Sequence, residues 1–288
     1  MLAGPGVIDD GAIDGLRAFA AAGNLGVANT WGAKGVFAWD SPHHLGTCGL
    51  QARDFELLGF ASADLIVATG LAETESPQDR YALAPVEVVE PADLVVRSGE
   101  FVSVVESWPN ELHPRLAAIA MPGYVDEKVP LHPSRASREL GIVLPATGVV
   151  IAEPGIAGLW VARTFPTPAL AASELRRVVV PAVREPGVAM RGALTAARAG
   201  RPAIAVTTGP IDDATARAFE EAERDRVSVI LVVWTEHGSL RDVDEHRQRL
   251  GDALEALTPM LLEVPVALDD TALLVDAAGE VVAWGGLG

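Results

Sequence analysis

Gly4 and Gly6 in "AGPGVIDD" stand just before an apolar-periodic run, so a helix starting there would turn unpaired N–H groups toward an anion. The Gly-x-Gly-x-x-Gly pattern of dinucleotide loops is incomplete, because Asp9 holds the third glycine position and would repel a pyrophosphate. The loop "NTWGAKGVFAWDSPHHLGTCGLQ" is the strongest nucleotide-site candidate. Lys34 offers a cation to phosphate and Trp31 a ring to stack or cover, while Gly32, Gly35, Gly46 and Gly49 allow close backbone approach. The same loop serves equally well as packing, with Trp31, Phe37 and Trp39 as anchors. A third stretch, "AIAVTTGPIDD", runs from a buried strand through a tight turn at Thr208, Gly209 and Pro210 into an acidic helix start, the layout of a phosphate loop.

The remaining reactive residues carry less. His43 and His44 are adjacent, so on an extended chain they point to opposite sides and cannot readily share a metal. His237 beside Glu236, and His246 near Asp242 on a charged helix, read as a solvated face. Cys48 needs a base and a positive environment to become a nucleophile, and a lone thiol between Thr47 and Gly49 reads as inert. No Gly-x-Ser-x-Gly elbow, Walker loop or metalloprotease helix is present. No catalytic residue and no metal ligand is assigned.

The elements that must position these residues alternate. Strand, turn and helix follow in "MLAGPGVIDDGAIDGLRAFAAAG", where Ile13, Leu16, Phe19 and Ala20 recur at helical spacing. Then come a strand "GVANT", the glycine-rich loop from Trp31 to Gly49, a helix near Arg53 to Phe60, a strand "DLIVATG" ending at Gly70, a strand "PVEVVEP" and a helix from Leu112 to Ala120. Pro, Gly, His and charge without a sustained period place a linker at 126–145. Alternation restarts beyond it, through "GVVIAEPG", "RRVVVPA", "PAIAVTTG", "VSVILVVW" and "PMLLEVPV", with helices at Ile156–Phe165, Val188–Ala199, Asp212–Arg224 and Leu240–Leu257. The last segment reads as a hairpin around Ala278 and Gly279. This order predicts an α/β chain of two Rossmann-like domains with mostly parallel, doubly wound sheets, at 1–125 and 146–288.

The order and spacing of these motifs resemble the thiamine-diphosphate-dependent enzymes of the acetolactate synthase type. "GPGVIDDGAIDGLRAFA", "NTWGAKGVF", "HLGTCGLQ" and "ADLIVATG" look like that family's central domain, a six-stranded Rossmann-like module that holds FAD or ADP in some members. The resemblance implies that the turns holding Gly4, Gly6, Trp31, Gly32, Lys34, Gly46 and Gly70 would lie along the nucleotide. "GVVIAEPGIAGLWVARTF", "VAMRGALTAA" and "PMLLEVPV" look like the domain that binds the cofactor's diphosphate, with Met190 where an apolar residue supports the bent cofactor.

Two departures from the family pattern shape the expected function. Its pyrimidine-binding domain has no counterpart here, nor has that domain's activating glutamate, so an active enzyme would need a separate subunit to supply them. Its diphosphate motif, Gly-Asp-Gly followed by an Asn pair after the next strand, supplies oxygen ligands to Mg²⁺. Here Thr208, Gly209 and Pro210 hold the first positions, and Trp234 and Thr235 the second. Gly209 has no side-chain oxygen and Trp234 would fill space rather than ligate. Asp212 and Asp213 read as acidic residues complementing a helix dipole. The departures point to a catalytically degenerate relative that binds a nucleotide or small molecule or acts in assembly, without the Mg²⁺–thiamine diphosphate site; the alternatives are a subunit of a two-component thiamine diphosphate-dependent 2-oxo acid decarboxylase or acetolactate synthase-like enzyme, and an FAD- or ADP-binding module.

Composition sets the remaining expectations. A formal charge of −17, from 22 basic and 39 acidic residues, disfavours nucleic acid and anionic membranes. A single cysteine, no leader-like start and no long apolar run fit a cytoplasmic protein. The apolar helices "IAGLWVARTF" and "VAMRGALTAARAG" suit a subunit interface, so a homo-oligomer is expected, dimeric by resemblance.

Overall fold

A computed structural model of the chain describes residues 1–105, 107–171 and 176–287. It divides into two compact units, one of Met1–Ala117, Thr167–Arg176 and Val275–Gly286, the other of Ala118–Pro166, Arg177–Leu274 and Leu287–Gly288.

In the first unit five strands form one parallel sheet: β1 (Leu2–Ala3), β2 (Val27–Thr30), β3 (His44–Cys48), β4 (Ile66–Thr69) and β5 (Val86–Val88). Their order, β3-β2-β1-β4-β5, makes the chain reverse its direction of travel across the sheet between β1 and β4. Both faces are buried, which is why the strands read as short unbroken apolar runs. Ala3, Val27 and Val67 pack on the side of the helix Ile13–Gly23, through Leu16 and Phe19. Leu2, Ala28 and Ala68 pack on the other, against Phe55 and Leu58.

The second unit repeats the plan with β6 (Val149–Ala152), β7 (Val178–Val179), β8 (Ala203–Thr208), β9 (Ile230–Thr235) and β10 (Met260–Pro265). All its pairings are parallel and the order is β10-β9-β8-β6-β7, with the reversal between β6 and β8. The predicted pair of doubly wound α/β sheets is the observed architecture, each with five strands among the described residues.

Three local expectations change. β3 lies inside the segment read as a glycine loop, and Gly46, at φ 130°, sits where its register against β2 shifts. Glycine breaks the strand pattern in sequence while serving the bulge in structure. The proposed linker carries the helix Pro133–Val143, whose amino terminus is capped by His132 Nδ1 accepting the Ser134 N–H at 3.1 Å. Its buried face holds Ser134, Arg135, Ser137 and Glu139 beside Ala136 and Leu140, so no apolar period announces it. The expected terminal hairpin is instead the helix Thr271–Ala278, followed by residues that bond to Leu50 and Ala52. "TALLVDAA" carries leucine and alanine suited to a helix, and Gly279 at φ 84° ends it.

Candidate functional site

Open α/β sheets place ligands beyond the carboxyl ends of their strands, at the reversal point. In the second unit that position is a crevice of about 510 Å³, lined by Glu153, Gly155, Arg184, Pro186, Thr208 and Asp212 among others. Gly155, at φ 134° and ψ −147°, turns the chain from β6 into the helix Ile156–Thr164, a conformation open only to glycine. Gly187, at φ 69° in the left-handed region that favours glycine, precedes the helix Val188–Arg198.

That second helix start is the natural seat for an anion, and it is occupied from within the chain. Glu153 Oε2 accepts the Ala189 N–H at 2.9 Å. Burial pushes the Glu153 carboxyl above the usual carboxylate range, and nearby Asp212 adds to the rise. Asp212 caps the next helix, Asp213–Asp225, by accepting the N–H groups of Ala214 and Thr215 at 2.8 Å each, the dipole-complementing role read from sequence. Of the three helix starts at this crevice, those at Val188 and Asp213 therefore carry protein carboxylates, whereas the one at Ile156 has no capping side chain.

The segments read as the degenerate diphosphate motif meet in space. Thr208 and Trp234 are register partners on β8 and β9, and Gly209 donates its N–H to the Trp234 carbonyl at 2.9 Å. Trp234 is fully buried, and the Thr235 hydroxyl donates to the His237 carbonyl at 2.7 Å. Thr208 lines the crevice, whereas Met190 is buried in the sheet core near Ile151 and Ala193. Among the described residues no group of three or more His, Cys, Asp or Glu is placed to hold a metal ion.

The first unit presents the corresponding edge in closed form. Gly4 donates to the Thr69 carbonyl and Gly6 to the Gly70 carbonyl, both at 2.9 Å, so the loops after β1 and β4 pack backbone on backbone. A Cβ on Gly6 would lie 2.9 Å from Gly70 Cα, and one on Gly70 would lie 2.6 Å from the Val7 nitrogen. Trp31 is buried edge-on against Trp284 at 5.6 Å between ring centroids, and Lys34 is buried as well. The Gly32 N–H donates to Glu75 Oε2 at 3.0 Å, and a Cβ on Gly32 would clash with that carboxylate. Glu75 is only 5% exposed, and burial pushes its carboxyl upward. Gly46 lies within β3, away from the Gly4–Gly70 contact.

Sequence reading missed Glu75 and Glu153. Glu153 leaves one signal, a charge placed directly between a buried strand and Pro-Gly; Glu75, in "ETESPQ", leaves none. It also misplaced His246, read as solvated: the residue is 1% exposed, on the helix Val243–Glu255, which packs against the helix Pro133–Val143. His44 is largely buried at the start of β3, which brings its pKa down to about 3, and Cys48 is buried at the strand's end.

Comparison with known proteins agrees with the motif order. Residues 1–91 match the thiamine pyrophosphate enzyme central domain. A candidate thiamin diphosphate-dependent enzyme from Mycobacterium smegmatis superposes with a TM-score of 0.67 at 17% identity, over 92% of this chain and 60% of that one. The chain thus spans less than two thirds of that protein, and the likeness is one of fold. No curated protein matches the sequence. No helix among the described residues is long and apolar enough to cross a membrane.

Proposed function

We infer that a chain whose first 91 residues match the thiamine pyrophosphate enzyme central domain is a non-catalytic relative of those enzymes, acting by binding or assembly. The observation that carries this reading is the Glu153 carboxylate on the Ala189 N–H, where a cofactor phosphate would otherwise be received. An entering diphosphate would have to displace a carboxylate and approach Asp212. Mg²⁺ requires near-octahedral oxygen ligands, and Gly209, Pro210 and the buried Trp234 do not provide them. The residues present do not fit the Mg²⁺–thiamine diphosphate pair. A separate subunit bearing a pyrimidine domain would add its glutamate and leave these positions unchanged.

The first unit supports the same reading. The Gly6 and Gly32 N–H groups that would meet an FAD or ADP phosphate are already bonded to Gly70 and Glu75. Assembly as a homo-oligomer belongs to this proposal and is measured by light scattering. Calorimetric titration with thiamine diphosphate, with and without Mg²⁺ and with FAD and ADP in parallel, is expected to give no saturable heat. Mg²⁺-dependent thiamine diphosphate binding would overturn the reading.

A further inference from the structure

The first unit holds a second cavity, at the edge of the sheet where β1, β2 and β4 begin, opposite the loops described above. Its volume is about 450 Å³, within the range of small-molecule sites. Leu45, Leu58, Phe60, Val105 and Trp108 supply its apolar walls. Its charged lining residues are Asp64, Glu100, whose carboxylate is paired with Arg97, and Met1, whose amino group donates to the Gly26 carbonyl at 2.8 Å.

One wall is formed by Val102, Ser103, Val105, Trp108 and Pro109. Ser103 donates its N–H to the Gly23 carbonyl at 2.8 Å, and Asn110 Nδ2 donates to the Leu45 carbonyl at 2.8 Å. Gly59, at φ 72°, lets Pro109 come close, since a Cβ there would stand 2.6 Å from the proline ring. Among the lining residues Val102 is 63%, Val105 44% and Leu65 40% exposed. Large apolar side chains left in water around a concave apolar space mark a binding surface.

We propose that this cavity binds a small, uncharged, apolar molecule of aromatic or short-chain type. The volume limits its size, and the apolar walls favour carbon over a charged group. The site is independent of the crevices at the opposite sheet edges.

The test is fluorescence titration of the full chain with N-phenyl-1-naphthylamine, a neutral apolar fluorophore. The expected result is saturable one-to-one binding with energy transfer from tryptophan. Val105→Asp, at an exposed position, is expected to weaken binding at least tenfold with an unchanged circular dichroism spectrum. Trp108→Phe is expected to reduce the energy transfer selectively while binding persists. Absence of saturable binding, or binding that Val105→Asp leaves intact, overturns the proposal, as does energy transfer unaffected by Trp108→Phe. Probe binding that disappears as the protein self-associates, followed by light scattering, would assign the cavity to a contact between copies and overturn it too.

Discussion

Glu153 and Ala189 are joined by a 2.9 Å hydrogen bond from the helix N–H to the carboxylate, across 36 residues of chain. The contact closes the amino terminus of the helix Val188–Arg198 without a local capping side chain, since Gly187 has none to offer. Truncation by Glu153→Ala should lower stability by about 0.5–2 kcal/mol, the range for losing a helix cap, read from urea unfolding. Glu153→Gln keeps an acceptor and should cost less. Because burial raises this carboxyl, its protonated form is favoured on folding, and the associated stability is lost as pH rises through the raised value. Glu153→Gln should flatten that part of the pH profile.

His246 titrates in the opposite sense. Burial brings it down to about 4, and Arg249, Arg247 and Arg135 contribute to the shift. The stability it contributes is complete above its unfolded value of 6.5 and lost as pH falls through about 4. The loss should approach about 3 kcal/mol at full protonation, from 1.36 kcal/mol per pKa unit. Unfolding midpoints between pH 7 and pH 4 should fall for the parent and fall less for His246→Gln.

The same helix pair holds a buried ion cluster. Glu139 is fully buried, 2.9 Å from Arg135 Nε and 2.9 Å from Arg247 Nε. Removing one partner leaves uncompensated charge, so Glu139→Ala should cost about 3–5 kcal/mol. A cost below about 1 kcal/mol by chemical denaturation would mean that water already compensates the two arginines.

Much of the fold was legible because a strand buried on both faces writes its sequence without reference to distant residues. "VILVV" and "AIAVT" needed only local composition, and the helices beside them only an apolar stripe. The helix Pro133–Val143 was not legible, since Arg135 and Glu139 fill buried positions that are normally apolar, paired with each other along the helix and, through a tertiary contact, with Arg247. The site divided in the same way. The turn at Thr208–Pro210 could be located from its flanking strand, but the Glu153 carboxylate reaches Ala189 only after the sheet has formed. Gly4, Gly6 and Gly70 were visible as glycines, yet whether they face a phosphate or one another depends on which strands are neighbours.

That glycine contact gives a further prediction. Gly70 combines φ 57° with a close approach to Val7, whereas Gly11, at φ 66°, has open space around its Cβ position. Gly70→Ala should destabilise by clearly more than about 1 kcal/mol, and Gly11→Ala by about that amount, the strain of a left-handed alanine alone. Equal thermal midpoints for the two variants would remove backbone packing as the reason for Gly70.

The most direct measurement follows the Ala189 backbone amide by two-dimensional NMR during titration with thiamine diphosphate and Mg²⁺. With Glu153 occupying that N–H, the resonance is expected to stay in place at every concentration and to move only as pH titrates the carboxylate. A saturable, Mg²⁺-dependent shift of the Ala189 amide would show the cofactor entering the helix terminus and contradict the account.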